Sequence, residues 1–311
     1  MVAMDVKRTS KYGIGIIIHN IHMTDDVKQL NEWYKDVFDP VFYMGYPEPH
    51  YLPPEDRWAS LLVISDMCIE TMAPNLPPDP TKPVGRFFLR HGQCFHSTGF
   101  QVDDLKGLVD HLIRHGVYIG APGGGRLESL PEDMDYIYPH PKDTAGFMVE
   151  LCKVHMPDDP RERDDWSELR KRWENHPLGI TRTAWTTFGV TDIQRTKERL
   201  ITLFEAVPLY DGEDRELKQE ESYLQIGHSI LQLARPIERD TPLYRHIEKH
   251  RDMIYGVTFK VKDLDSVERY LTGKGIGVLQ RTSDTVVADP KDCYNAPYAF
   301  TTRALPNDPL G

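Results

Sequence analysis

Cysteine is scarce in this chain. Of 311 residues only four are cysteines, Cys68, Cys94, Cys152 and Cys293, and no two of them are spaced as Cys-x-x-Cys. That spacing is the usual sign of a zinc or redox motif, so the sequence supports neither. Cys68, Cys94 and Cys152 lie in apolar, strand-like runs, which indicates buried free thiols.

An excess of positive charge and long hydrophobic runs are also missing. The chain has 37 Lys and Arg against 48 Asp and Glu, and its net charge is −11. This balance argues against nucleic acid and against an anionic membrane surface as partners. The first apolar run, residues 14–18, is too short for a signal segment or a membrane span. We expect a cytoplasmic protein with a small-molecule substrate, and we keep a homodimer among the alternatives.

A phosphate loop is absent as well. Three glycines, Gly123–Gly125, follow Pro122, but no Gly-Lys-Ser/Thr comes after them. We interpret this run as a turn or a lid. The composition, with 40% hydrophobic residues, favours a packed globular protein, and the length favours two domains over one.

The most informative feature that is present is an internal repeat. The segment Phe100–Leu105 (FQVDDL) returns as Phe259–Leu264 (FKVKDL), and His140–Asp143 (HPKD) returns as Asp289–Asp292 (DPKD). A duplicated half keeps structural residues in both copies, whereas chemistry is needed in only one. The differences between the copies are therefore the places to look for function.

Periodicity and turn residues divide each half into two units of strand, helix and further strands. Four βαβββ units predict an α+β protein in which paired units curl around a shared interior, because one unit cannot cover both faces of its sheet. The boundaries we predict are a first module at residues 1–156, a charged linker helix at 157–178, and a second module at 179–311.

The first half resembles the vicinal oxygen chelate superfamily, which includes glyoxalase I, methylmalonyl-CoA epimerase and extradiol dioxygenases. The segments that carry the resemblance are Asp26–Tyr34, Ile69–Pro74, Phe95–Asp104 and His140–Leu151. The resemblance implies two tandem glyoxalase-like modules with cup-shaped mixed sheets. It also implies a divalent metal inside a cup, held by His, Glu or Gln, His and Glu.

Carried over position by position, the resemblance places His19, Glu70 and Glu150 at the first, second and fourth ligand positions. Ser97 falls on the third, and His96 stands directly before it. Adjacent strand residues face opposite sides, so His96 and Ser97 cannot both face the cup of a regular strand. Three alternatives follow: a bulge turns His96 inward, the site has three ligands, or no metal binds.

The second half departs further from the ligand pattern. The equivalent positions are Trp185, Gln232, Gly256 and about Phe300, of which only Gln232 is a credible ligand. This departure counts against a dioxygenase that carries its iron in the second half. We expect the second module to have a degenerate ligand set, with Trp185 filling its cup.

We therefore expect a metal-dependent isomerase or lyase that acts next to a carbonyl through a chelated enolate. The metal would be Zn, Mn, Co or Fe, held by His19, Glu70, Glu150 and His96, with Glu70, Glu150 and His96 as catalytic groups. Substrate contacts are expected from Ser97, Tyr136 and Tyr138.

Two alternatives stay open. One is a metal-free relative, either an enzyme that uses His96 or His19 as acid and base or a small-molecule-binding protein of the resistance type; Ser97 motivates it. The other is an iron-dependent ring-cleaving dioxygenase that would need His19, His96 and Glu150 together.

Overall fold

Two eight-stranded mixed sheets, each with helices packed against it, make up the molecule. The computed structural model describes residues 3–120 and 125–311, so most of the glycine run predicted as a turn or lid lies outside the described residues. The strands are β1 (Ile14–Met23), β2 (Val41–Met44), β3 (His50–Leu52), β4 (Arg57–Ile64), β5 (Met67–Pro74), β6 (Cys94–Val102), β7 (Tyr136–Ile137), β8 (Val149–Cys152), β9 (Ile180–Gly189), β10 (Val207–Asp214), β11 (Gln219–Ile226), β12 (Ser229–Pro236), β13 (Met253–Val261), β14 (Val278–Arg281), β15 (Thr285–Ala288) and β16 (Tyr298–Thr301). The helices are α1 (Val27–Phe38), α2 (Pro83–His91), α3 (Leu105–Arg114), α4 (Trp166–Leu169), α5 (Lys171–Glu174), α6 (Ile193–Phe204), α7 (Pro242–His250) and α8 (Leu264–Gly273).

The two sheets have matching topology. The first runs β2-β4-β5-β1-β6-β8-β7, with β3 paired to β4, and the second runs β10-β11-β12-β9-β13-β16-β15-β14. In each sheet the two long central strands are antiparallel to each other, and each has a parallel partner on its outer side. The expected α+β fold of two tandem glyoxalase-like modules is confirmed.

The repeated sequence segments serve the scaffold. Asp104 and Asp263 are the N-caps of α3 and α8, where their carboxylates accept hydrogen bonds from backbone N–H groups of the first turn. The two Pro-Lys-Asp segments, Pro141–Asp143 and Pro290–Asp292, each form a short 3₁₀ turn. Selection for these local structures explains why both copies keep the residues.

Two helices were not predicted from the sequence. Both α2 and α7 begin with a proline, Pro83 and Pro242, and each lies between the two units of its module. Residues 74–83 are rich in proline, which favours a loop, and α2 starts at the last of them. Proline is tolerated in the first turn of a helix because the N–H that it lacks has no partner there.

The segment between the modules is not one continuous helix. It contains a 3₁₀ turn at Pro160–Glu162 and the two four-residue helices α4 and α5. Trp166 and Trp173 are buried, and their rings lie 6.1 Å apart. A proline inside the segment and a left-handed backbone at Asp158 prevent one long helix from forming.

A single hydrophobic core runs through both modules. Phe38 of α1 packs against Phe259 and Tyr298 of the second sheet, and the ring of Phe147 stacks on that of Phe188 at 3.9 Å. The central strands β6 and β13 lie side by side across this contact. Among the described residues, no helix is long and apolar enough to cross a membrane.

Candidate functional site

Three strands of the first sheet bring His19, Glu70 and Glu150 together. His19 lies on β1, Glu70 on its parallel neighbour β5, and Glu150 on β8. Strand β6 separates β1 from β8, and its Gly99 is paired with both His19 and Glu150. Because Gly99 has no side chain, the imidazole of His19 can reach across β6 toward Glu150.

The imidazole of His19 bridges the two carboxylates. Its Nδ1 lies 2.9 Å from Oε2 of Glu70, and its Nε2 lies 3.1 Å from Oε2 of Glu150. All three side chains are nearly inaccessible to solvent. The structure thus joins three of the residues that the sequence placed at ligand positions, although their ligand role stays a prediction.

The electrostatics of this cluster are governed by the contacts of His19 with the two carboxylates. Burial disfavours the imidazolium of His19, yet Glu70 and Glu150 outweigh burial and raise the pKa of His19 to about 10. Burial alone would raise the pKa of Glu70, but Arg57 and His19 lower it to about 2. His19 is therefore a cation at neutral pH, with Glu70 ionised beside it.

Two further side chains hold the carboxylates from the other side. The guanidinium of Arg57 donates to Glu70 and, at 2.6 Å, to Glu55. The hydroxyl of Tyr138 donates to Oε2 of Glu150 at 2.6 Å. Burial and the charge of Glu150 raise the pKa of Tyr138 well above its usual value, so its phenol stays neutral. Arg57 was not among the predicted site residues, because nothing in the sequence pattern at the start of β4 marks it as facing Glu70.

A bulge in β6 brings His96 toward the cup. Asn20 of β1 pairs with Thr98, whereas His22 pairs with Phe95, so two residues of β6, His96 and Ser97, oppose one residue of β1. Ser97 is fully buried, and its Oγ lies 2.8 Å from Nδ1 of His96. Burial lowers the pKa of His96 to about 3, so its imidazole is neutral.

A cavity of about 1020 Å³ opens in front of this cluster. Arg57, His96 and Tyr138 line it directly, and Arg57 and Tyr138 in turn contact the carboxylates behind them. Tyr136 lines the cavity as well and is half exposed. Residues of α2 form one wall, including Phe87, whose ring meets that of His96 edge-on at 4.3 Å.

The second module has only a small cavity, of about 60 Å³, at the equivalent place. Trp185, Gln232 and Gly256 line it, together with Glu221, a buried carboxylate that the sequence analysis did not identify. The amide of Gln232 donates to Glu221 at 2.9 Å, so this ligand-like residue is engaged by the protein itself. Of these two equivalent cups, the one in the first module therefore has the larger cavity.

The donor chemistry of the first cup fits a divalent metal ion. One imidazole and two carboxylates suit Zn, Mn, Co or Fe. Across residues 3–120 and 125–311, no three His, Cys, Asp or Glu side chains already have the arrangement of a metal site. In this structure the imidazolium of His19 is the positive group between Glu70 and Glu150. A divalent cation can take over that role when His19 loses its proton.

Comparison with known proteins gives a result for the structure and none for the sequence. No protein-family model and no curated protein matches the sequence. Among solved structures, the chain is similar to a mutant of 4-hydroxymandelate synthase from Streptomyces coelicolor, with a TM-score of 0.64, 14% identity and 94% of each chain covered. At this identity the similarity shows the fold, and it extends over both modules.

Methylmalonyl-CoA epimerases match a smaller part of the chain. The enzyme from Mycobacterium tuberculosis has a TM-score of 0.38 and 17% identity, and the match covers 40% of this chain and 89% of that one. A complex of the Streptomyces coelicolor enzyme has a TM-score of 0.37 and 22% identity, with 42% and 99% covered.

Proposed function

We propose that this chain, which has the tandem fold of the vicinal oxygen chelate superfamily, is an enzyme whose active site is the cup of the first module. The observation that carries the proposal is the convergence of His19, Glu70 and Glu150 behind a cavity large enough for an organic substrate. The reaction we propose is an isomerisation or elimination at a carbon next to a carbonyl.

His96 is the base in this proposal. Its imidazole lines the cavity and, in the described part of the chain, has no carboxylate partner, which places it to accept a proton once the negative charge of a bound substrate raises its low pKa. In an isomerisation His96 would return the proton to the neighbouring carbon of the enolate, on the face from which it was taken. In an elimination a leaving group departs instead, and His96 later releases the proton to water.

Arg57 and Tyr138 would face the oxygen of the substrate. The guanidinium of Arg57 is a fixed positive charge in a nearly dry site, where it would stabilise the negative charge that develops on that oxygen. The neutral hydroxyl of Tyr138 is a donor that already holds Glu150 in place. The two side chains supply electrostatic support without changing their own protonation.

A divalent metal would be held by His19, Glu70 and Glu150. When bound, such an ion supplies a Lewis acid that polarises the carbonyl and stabilises the enolate. Arg57 and Tyr138 would then keep the two carboxylates oriented through their hydrogen bonds, as outer-shell partners of ligands do in metalloproteins.

Metal analysis tests this proposal. We expect protein purified without chelators to contain a stoichiometric divalent ion, and we expect His19→Ala and Glu150→Gln to lower its content at least about tenfold. Glu221→Gln, a change of the buried carboxylate in the second module, is the matched control and should keep the metal. A wild-type protein without metal, or a His19→Ala variant that retains it, would contradict the proposal.

A metal-free enzyme is the second candidate, and the ion pairs of His19 favour it. With a pKa of about 10, His19 already neutralises part of the charge of Glu70 and Glu150. In this version His96 is again the base, and the imidazolium of His19 replaces the metal as the positive charge. Activity that survives exhaustive EDTA treatment would support this candidate, and activity restored only by Mn, Co or Fe would eliminate it.

An iron-dependent ring-cleaving dioxygenase is the third candidate. It requires His96 to face the cup together with His19 and Glu150, and the bulge in β6 provides the necessary turn of the strand. Oxygen uptake with catechol-type substrates by the iron-loaded protein would support it. A His96→Ala variant that binds iron as well as the wild type would exclude this ligand set.

A further inference from the structure

The cavity of the first module combines apolar walls with a positively charged mouth. Apolar and aromatic side chains form most of its surface, among them Ile21, Met72, Phe87 and Met148. The charged side chains that line it are three arginines and one glutamate. This local excess of positive charge stands out in a chain whose net charge is −11.

Two of the arginines, Arg86 and Arg90, lie one turn apart on α2. They line the cavity on the solvent side, whereas Arg57 lies deeper and is held by Glu55 and Glu70. Within the described part of the chain, neither Arg86 nor Arg90 forms an ion pair with a carboxylate. The guanidinium of Arg86 donates only to backbone carbonyls of the preceding loop, at 2.7 Å to Thr81.

We propose that the substrate is an amphipathic organic anion with an apolar, ring-sized body and a carboxylate or phosphate at one end. The inference rests on the proposed function, because it takes this cavity as the active site. The body would lie against Phe87, Met72 and Met148, and the anionic end would meet Arg86 and Arg90. The carbonyl end would then reach His96 and Arg57 at the inner end of the cavity.

The walls and the mouth of the cavity each favour part of such a ligand. Apolar walls gain free energy only from a ligand that brings apolar surface, so a bare ion does not account for them. Paired arginines one helical turn apart favour a planar or tetrahedral oxyanion, which can accept several N–H donors at once. In a strongly acidic protein, a positive mouth also guides anions to the site against the field of the whole molecule.

Equilibrium binding of small probes tests the inference. We would titrate the protein, with and without Mn²⁺, with 3-phenylpropionate, its neutral amide, phenyl phosphate and inorganic phosphate. The aryl anions should bind roughly five- to tenfold more tightly than the amide, and inorganic phosphate should bind more weakly than phenyl phosphate. The ratio of the dissociation constants of phenyl phosphate and 3-phenylpropionate distinguishes a ligand with a phosphate end from one with a carboxylate end.

Variants test whether the arginines of α2 cause the preference for anions. The double variant Arg86→Gln with Arg90→Gln should remove the preference for the anions and leave binding of the amide unchanged. Arg114→Gln, at an exposed arginine in the last turn of α3 outside the cavity, is the control. Equal affinity for anion and amide in the wild type, or a preference that survives the double variant, would overturn the inference.

The result is separable from that of the metal analysis. If the protein contains metal but shows no preference for anions, only the proposed substrate class is contradicted. A preference for anions in a protein that holds no metal contradicts the metal-dependent mechanism alone and leaves the substrate class standing.

Discussion

Gly99 is the residue on which the geometry of the cup depends most directly. A Cβ atom at this position would lie 2.9 Å from Nε2 of His19 and 2.8 Å from Cγ1 of Ile18. Both distances are shorter than real Cβ contacts, and both neighbours lie on a central strand that cannot easily move. The absence of a side chain at Gly99 is what lets His19 of β1 contact Glu150 of β8 across β6.

We therefore expect Gly99→Ala to displace His19 from Glu150. Overpacking of this kind should lower the free energy of unfolding by about 1–3 kcal/mol, and metal content should fall together with it. Gly273→Ala is the control, because a Cβ there meets no atom within 4 Å and the backbone is not left-handed. Chemical denaturation and metal analysis measure both effects; an alanine variant with wild-type values would show that His19 has more room than the structure indicates.

Tyr138 permits a finer test of one hydrogen bond. Tyr138→Phe removes the hydroxyl that donates to Glu150 and leaves the ring in place. Metal affinity should fall by about ten- to a hundredfold, as it does when an outer-shell partner is lost, while stability changes little. Tyr136→Phe is the matched control, since Tyr136 lines the same cavity and, among the described residues, forms no hydrogen bond with the triad. Metal titration of both variants by calorimetry would separate the two tyrosines, and equal affinities would contradict the role given to Tyr138.

At this scale the sequence showed the components of the site and not their arrangement. His19, Glu70 and Glu150 could be identified from the resemblance, because they stand in recognisable segments. The orientation of His96 could not, because strict alternation of faces holds only in a regular strand and one sequence does not reveal a bulge. Arg57 was missed for a related reason: it meets Glu70 through the pairing of β4 with β5, which is a long-range contact.

Secondary structure elements were predictable where a local signal marked their ends. The helices α3 and α8 each begin after an aspartate N-cap, which is a local signal that a sequence shows. The helices α2 and α7 begin with a proline after Lys82 and Thr241, and their starts are harder to recognise because proline is also common in loops. For α2 this matters, because the helix forms a wall of the cavity in front of the triad.

The repeated caps lead to a prediction about stability. Asp104→Ala and Asp263→Ala each remove a side chain that satisfies backbone N–H groups at a helix start, and each should cost about 1 kcal/mol of unfolding free energy. Asp104→Asn is the control, because asparagine caps as well as aspartate. Metal content should stay the same in all three variants. Urea denaturation provides the measurement, and loss of metal on removing either cap would mean that the repeated segments are more than scaffold.

For the whole molecule, the duplication predicted two modules and did not predict how they meet. The contact uses residues that look like ordinary core residues in the sequence, such as Phe38 against Phe259 and Phe147 against Phe188. Nothing in their local pattern assigns them to an interface between modules. Because these residues form a core that both modules share, each module contributes to the stability of the other.

A histidine cluster also joins the modules at the surface. Nδ1 of His91, at the end of α2, lies 2.9 Å from Nδ1 of His250 on α7, and the ring of His246, one turn earlier on α7, lies 4.9 Å from that of His250. Phe87 and Tyr255 cover the outer rings. Burial, with the nearby charge of Lys249, lowers the pKa of His250 to about 4, and burial with the charge of His250 lowers that of His246 to about 3.

These shifts predict a loss of stability in mild acid. A folded pKa below the unfolded value of about 6.5 means that the unfolded chain binds more protons. The contribution of each neutral histidine to the free energy of unfolding is complete above about pH 6.5. It is lost as the pH falls from 6.5 toward 4, by roughly 1–2 kcal/mol for a partly exposed histidine. His250→Gln should match the wild type at pH 7.5 and exceed its stability at pH 5, whereas His50→Gln, at an exposed position on β3, should follow the wild type. Urea denaturation across this range measures the difference, and parallel curves for His250→Gln and the wild type would show that the contact between α2 and α7 does not depend on the protonation of this histidine.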